Sequence, residues 1–156
     1  MKKLIITVFF ASLISANVYS YEVGDRLDED IIKQLNLPEG KVGVIDFFAS
    51  WCESCTKEIP EIKKFISQDT EKEAHVVGID VDEELQEGLE YQKQLNIDFP
   101  VINDTHQKIV SAFSPIAMPA LYYVKDNKVV GKRIGAIHKI DKQIKKDLQE
   151  FEVKSE

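Results

Sequence analysis

Cysteine is scarce in this chain, with only Cys52 and Cys55 among 156 residues. Two cysteines allow at most one bridge within the chain, and paired cysteines of exported proteins are usually structural. A bridge across two intervening residues closes a very short loop and removes little entropy from the unfolded chain. The pair is therefore better explained by its chemistry than by stabilisation.

Histidine is also scarce, and its spacing does not favour a metal site. A structural zinc ion needs four ligands, and a single Cys-x-x-Cys supplies two. His75, His106 and His138 show no ligand spacing relative to the cysteines. The sequence therefore predicts no metal and no cofactor.

The chain lacks an excess of positive charge. It has 20 Lys and Arg against 27 Asp and Glu, for a net charge of −7, and no basic stripe. Such a protein has no electrostatic reason to bind nucleic acid or anionic lipid. A hydrophobic fraction of 44% and a length of 156 residues fit one compact globular domain.

The first twenty residues form a distinct segment. Lys2 and Lys3 precede the apolar run Leu4–Ala16, and small and polar residues follow up to Ser20. This order is typical of a secretory signal peptide cleaved before Tyr21. The run of about 13 residues is shorter than the roughly 20 that span a bilayer. We expect a signal peptide at 1–20, a domain at 21–156 and export to the periplasm, with a retained membrane anchor as the alternative.

Apolar patterning predicts alternating strands and helices. Val42–Phe48 is a continuous apolar run typical of a buried strand, and Cys52–Gln68 has the apolar period of a helix. In the helix predicted at 83–96, Leu85, Leu89 and Leu95 are the expected apolar contacts. The other predicted elements are a helix around 31–35, strands at 75–81, 99–102, 120–124 and 128–134, a short helix ending near 113, and a final helix from about 141. This order predicts an α/β fold with a mixed sheet and helices on both faces.

The Cys-x-x-Cys motif lies where the predicted strand gives way to the helix. Backbone N–H groups in the first helical turn are unpaired, and the helix dipole favours negative charge there. This position favours the thiolate of Cys52, which we expect to attack substrate. Cys55 lies one turn further along on the same side and is the expected resolving thiol.

The residues around this motif resemble those of the thioredoxin superfamily. Val44–Cys55 resembles its signature strand and active-site turn, and Cys55–Pro60 resembles the Cys-x-x-Glu-x-Pro continuation of the exported TlpA/ResA-like branch. Residues 76–113 resemble the inserted strand–helix unit of that branch, and Met118-Pro119 resembles the loop with a cis-proline. The resemblance implies a thioredoxin-like fold and a thiol–disulfide oxidoreductase.

The same resemblance implies partners and further site residues. Trp51, Met118 and Pro119 would bind protein substrates that carry cysteines or disulfides. A membrane electron-donor protein would re-reduce the pair, reduction would be the net direction, and the chain would be a monomer. Asp46 and Glu58 would assist proton transfer, although a satisfied strand residue and a solvated helix face remain the alternatives for them.

Two neighbours of the cysteines have opposite expected effects on the redox balance. Ser54 adds hydrogen-bond donors that stabilise the reduced form, whereas Glu53 places a negative charge near Cys52. The net sign stays open, so a net dithiol oxidase is an alternative direction. A copper metallochaperone using both cysteines and one histidine is an alternative of another class, since thiolates suit Cu(I). A peroxiredoxin would need a lone cysteine in a Thr-x-x-Cys setting, which the sequence lacks.

Overall fold

The computed structural model describes residues 20–153. The predicted signal peptide lies outside the described residues except for Ser20, so it stays a prediction. None of the helices within 20–153 is long and apolar enough to cross a membrane. The elements in chain order are α1 (Glu29–Leu35), β1 (Val42–Phe48), α2 (Glu53–Gln68), β2 (Ala74–Asp80), α3 (Leu85–Gln94), β3 (Val101–Asn103), α4 (Lys108–Phe113), β4 (Ala120–Lys125), β5 (Lys128–Ile134) and α5 (Ile140–Val153).

One mixed sheet organises the fold, with strand order β3-β2-β1-β4-β5. β1 is central, parallel to β2 and antiparallel to β4. β3 extends the parallel side and β5 extends the antiparallel side. Every residue of β1 is buried, because helices cover both faces of the sheet. The predicted mixed sheet with helices on both faces is confirmed.

The two faces of β1 belong to two apolar clusters. Ile45 and Phe47 point to the face covered by α1 and α4. Val44 and Phe48 point to the opposite face, covered by α2, α3 and α5. Because side chains alternate along a strand, Asp46 also points to the α2 face. A carboxylic acid is therefore placed in the layer between β1 and the helix that carries Cys55.

The N-terminal segment of the described chain covers part of the outer edge of β5. The N–H of Gly24 donates to the Val129 carbonyl at 2.8 Å, and the N–H of Val129 donates to the Asp25 carbonyl at 2.9 Å. Arg26 and Lys128 form an isolated antiparallel bridge. These bonds satisfy backbone groups that an edge strand otherwise leaves unpaired.

Most predicted elements are confirmed with small shifts of their ends. The strand Val42–Phe48 is found as predicted, and the helix that follows continues through Pro60 to Gln68. β2 starts and ends one residue earlier than the predicted strand at 75–81. β3 comprises Val101–Asn103 instead of 99–102.

The prediction for the apolar face of α3 is wrong in two of its three leucines. Leu85 is 48% exposed and Leu89 is 42% exposed, whereas Gly88 and Tyr91 are buried. A Cβ on residue 88 would lie 2.5 Å from an Asp80 carboxylate oxygen, so the helix approaches the sheet where glycine provides room. The inward face of α3 therefore follows Gly88, Tyr91 and the partly buried Leu95.

Replacing leucine by alanine at two helical positions tests this assignment. Leu148→Ala in α5 empties a site that is 5% exposed, and should lower the free energy of unfolding by about 2–4 kcal/mol. Leu89→Ala on the exposed face of α3 should lower it by less than about 0.5 kcal/mol. Urea unfolding of both variants measures the difference, and equal losses would contradict the outward orientation of Leu89.

Candidate active site

Cys52 and Cys55 form a disulfide at the start of α2. β1 ends at Phe48, and a turn closed by the Cys52 N–H bonding the Ala49 carbonyl at 3.1 Å leads into the helix. Cys52 is the N-cap of α2, and its Sγ accepts the Cys55 N–H at 3.2 Å. Cys52 is 7% exposed and Cys55 is 1% exposed. The more exposed of the two cysteines is therefore also the one whose sulfur accepts a helix N–H.

The loop that enters β4 lies next to this turn. β4 pairs with β1 so that Ala120 lies opposite Phe47, which brings Pro119 to the end of β1. The Met118–Pro119 peptide bond is cis, and Met118 packs against the apolar cluster that contains both cysteines. The structure thus brings this loop and the Cys-x-x-Cys turn together.

Apolar side chains are exposed on the two segments that lead into the site. Trp51, directly before Cys52, is 68% exposed, and Ile116, three residues before Pro119, is 93% exposed. Large exposed apolar side chains are common anchors in protein interfaces. Ile116 has no place in the sequence-based prediction of the site.

Asp46 and Glu58 are buried carboxyls behind the cysteines. Asp46 is 1% exposed and Glu58 is 6% exposed, which excludes the solvated helix face for Glu58. One oxygen of each, Asp46 Oδ1 and Glu58 Oε2, has no hydrogen-bond partner among the described residues. Asp46 is therefore not the fully satisfied strand residue that the sequence left open.

Burial shifts both carboxyls toward the protonated form. Burial, and then the negative charge of Glu58, raises the pKa of Asp46 well above its ordinary value. Burial raises the pKa of Glu58 to about 7, with Glu61 adding to the rise and a hydrogen bond from the Ile137 N–H opposing it. A group with a pKa near 7 can both accept and release a proton under physiological conditions.

Asp82 is a contact of the active-site turn that sequence reasoning missed. It follows β2 and is 3% exposed. Its carboxylate accepts the Ser50 N–H at 2.8 Å and the Ser50 hydroxyl at 2.9 Å. The available signal was its position, because the carboxyl ends of neighbouring parallel strands meet at one edge of a sheet.

His75 lies away from the cysteines. His75 pairs with Gly43 at the beginning of β1, whereas Cys52 follows the opposite end of that strand. Within residues 20–153, no group of three or more His, Cys, Asp or Glu side chains is arranged to hold a metal ion. His75 is therefore not placed to be the third ligand of a copper ion bound by both cysteines.

The sheet order, the disulfide at the N-terminus of α2 and the adjacent cis-proline loop define a protein of the thioredoxin-like class. The chain belongs to the AhpC/TSA family, which its residues 21–133 match. The resemblance to the thioredoxin superfamily is confirmed by a solved thioredoxin family protein from Chlorobium tepidum, a thiol:disulfide interchange protein. It is 28% identical, with a TM-score of 0.60 over 70% of this chain and 81% of that one.

Two further similarities place the chain among its relatives. Thiol-disulfide oxidoreductase ResA from Bacillus cereus is 33% identical over 98 residues, which are 62% of this chain and 57% of that protein. The match thus spans a little over half of the relative's length. StoA from Bacillus subtilis shares the fold, with 19% identity and a TM-score of 0.64 over 70% of this chain and 84% of that one.

The raised pKa of Glu58 predicts a pH-dependent stability. Between about pH 4.5 and pH 7 the unfolded chain loses the Glu58 proton while the folded chain retains it. This stabilising contribution is complete below pH 4.5 and is lost as the pH rises through 7. In the wild type, the free energy of unfolding should therefore fall by up to about 3 kcal/mol as the pH rises across that window. Glu58→Gln has no ionisable group at this position, so its free energy of unfolding should lack this fall.

Urea unfolding of the oxidised protein between pH 4 and pH 9 measures this effect. Glu53→Gln is the matched control, because Glu53 lies on the same helix with its side chain 85% exposed. The control should keep the wild-type pH dependence. A Glu58→Gln curve parallel to that of the wild type would contradict the burial of an ionisable carboxyl at this position.

Proposed function

We propose that this chain is a thiol–disulfide oxidoreductase that acts on proteins through Cys52 and Cys55. The observation that carries the proposal is the Cys52–Cys55 disulfide at the N-terminus of α2, with Cys52 the more exposed cysteine. The ResA relatives and the Chlorobium tepidum thioredoxin family protein are named for this chemistry, which supports the proposal.

In the reducing direction, the Cys52 thiolate attacks one sulfur of a substrate disulfide. A Cys52–substrate bond forms, and the other substrate sulfur leaves as a thiolate that takes up a proton. The Cys55 thiol then loses its proton and attacks Cys52 Sγ, which restores the Cys52–Cys55 disulfide and releases the second substrate thiol. Two electrons pass from the dithiol to the substrate.

The buried carboxyls of Asp46 and Glu58 assist the second step of the reaction, in which Cys55 attacks the mixed disulfide. Cys55 is nearly inaccessible to solvent, so its proton needs an acceptor inside the protein. Glu58 lies one turn after Cys55 on α2, and Asp46 faces the same layer from β1. Glu58, with a pKa of about 7, accepts this proton, and Asp46 supports the transfer.

Trp51, Met118 and Pro119 bind the substrate. The exposed indole of Trp51 provides an apolar contact beside the attacking sulfur. The backbone of Met118 pairs with an extended segment of the substrate, a form of strand addition that is tolerant of sequence. Protein segments containing cysteine or cystine are therefore the substrate class.

Export to the periplasm, a monomeric state and net reduction complete the proposal. Each reduction leaves the site oxidised, so a membrane electron-donor protein returns two electrons to it. Glu53 forms an ion pair with Lys57 at 2.6 Å on the exposed face of α2. This partner offsets the negative charge that would disfavour the Cys52 thiolate. Net oxidation of dithiols uses the same site in reverse.

Serine variants of the two cysteines should separate their roles. With dithiothreitol as electron donor, the wild type should accelerate reduction of the insulin disulfides. Cys52→Ser should abolish the acceleration because the attacking sulfur is gone. Cys55→Ser that is reduced and then freed of dithiothreitol should accumulate a mixed disulfide with the substrate, visible as a mass adduct that dithiothreitol removes. A stable adduct on Cys52→Ser instead would reverse the assignment.

Processing at residue 20 is tested on protein recovered from its native compartment. Intact-mass analysis should find a chain that begins near Tyr21, with a net charge of −9 because two lysines and no acidic residue are removed. Lys3→Glu, which weakens the basic start of the segment, should slow processing. Full-length chain in the membrane fraction would support the anchor instead.

A further inference from the structure

The turn that carries Cys52 accepts support from the side chain of Asp82, which follows β2. Both oxygens of Asp82 are used on Ser50, one for its N–H at 2.8 Å and one for its hydroxyl at 2.9 Å. Ser50 lies two residues before Cys52, and 32 residues separate it from Asp82 in the sequence. Hydrogen bonds to a charged acceptor are stronger than those between neutral groups.

Asp82 itself is placed firmly by its surroundings. The N–H of Val81 donates to the Phe48 carbonyl at 3.0 Å, which joins the ends of β1 and β2. The N–H of Asp82 donates to Asp80 Oδ1 at 3.0 Å. The other oxygen of Asp80 accepts a hydrogen bond from the Gln92 amide of α3 at 2.7 Å. The helix α3 therefore also supports the segment that carries Asp82.

The helix α3 also contacts the other side of the turn. The hydroxyls of Tyr91 and Thr56 are 3.0 Å apart, and the Thr56 hydroxyl donates to the Cys52 carbonyl at 3.4 Å. The Cys52 turn is thus bonded at Ser50, before Cys52, and at Thr56, after it. Asp82 holds Ser50 and Tyr91 contacts Thr56, so both connections lead to the segment from Asp80 to Gln92.

We propose that Asp82 is a positioning residue for Cys52, which holds its sulfur over the Cys55 N–H through Ser50. The proposal rests on the proposed function in that Cys52 is the attacking thiol. When the turn is fixed, the Cys52 thiolate receives the helix N–H as soon as it forms. When the turn is loose, part of this stabilisation is lost and less thiolate is present at neutral pH.

Two substitutions at residue 82 distinguish positioning from charge. Asp82→Ala removes both bonds to Ser50. Asp82→Asn removes the charge but keeps the shape, with its carbonyl accepting the Ser50 N–H and its amide donating to the Ser50 hydroxyl. A negative charge near Cys52 disfavours the thiolate, so a pure charge effect would make both variants more reactive than the wild type.

The rate at which iodoacetamide labels Cys52 in the reduced protein at pH 7, followed by peptide mass spectrometry, measures the thiolate. We expect Asp82→Ala to react about five- to tenfold more slowly and Asp82→Asn to stay within about twofold of the wild type. Asp69→Ala is the control, because both oxygens of Asp69 likewise accept hydrogen bonds, from the Glu73 and Ala74 N–H groups beyond the far end of α2. It should leave the rate unchanged.

An unchanged rate in Asp82→Ala, or faster labelling in both residue 82 variants, would overturn the proposal. If circular dichroism shows that Asp82→Ala does not fold, Ser50→Ala decides, because it removes the hydroxyl bond alone. It should react about two- to threefold more slowly, and a wild-type rate would then refute the positioning role. If iodoacetamide labelled Cys55 faster than Cys52 in the wild-type protein, the proposed function itself would be refuted.

Discussion

The meeting of β1 and α2 within four residues is the constraint on which the rest of the structure depends. β1 is buried over its whole length and paired on both sides, so the position of Phe48 is fixed by the sheet. The helix that follows must then begin with its free N–H groups directed at the turn. Cys52 occupies the N-cap, where its sulfur satisfies one of these donors. A strand with an exposed face would not locate the cysteine so firmly.

Burying acids behind this junction costs free energy that the rest of the fold has to offset. Asp46 and Glu58 each retain an oxygen without a hydrogen-bond partner among the described residues. The buried carboxylate of Asp147, in contrast, has hydrogen-bond donors, because Arg133 and the Tyr123 hydroxyl donate to it. The chain can therefore pair a buried acid fully. Among the described residues, Asp46, Glu58 and Asp141 each keep one unpaired buried oxygen, and the first two lie behind the cysteines. Such groups cluster at functional sites.

Local patterns in the sequence predicted the elements that carry the site. The apolar run of β1 and the helical period of α2 are strong signals, and Cys52 falls where they meet. The inward face of α3 is predicted wrongly from hydrophobicity, because leucine is more hydrophobic than glycine. The close approach of α3 to Asp80 leaves no room for a side chain at residue 88, so Gly88 lies on the inward face. The burial of Glu58 was available from its position one turn after Cys55. The position of Asp82 after β2 placed it at the same edge of the sheet as the Cys52 turn, but its bond to Ser50 depends on the register of β1 and β2, which the sequence does not give.

The pairing of residues 24–27 with β5 lowers the tendency of the protein to associate through the edges of its sheet. An uncovered edge strand offers a row of backbone donors and acceptors to any extended chain, which invites edge-to-edge association. In this protein Gly24 and Asp25 occupy part of that row, and the opposite edge consists of the three-residue β3. In the proposed function the substrates are extended, cysteine-containing segments of other proteins. Short and occupied sheet edges offer such segments few free backbone groups, which agrees with the proposal that they pair at the Met118 loop.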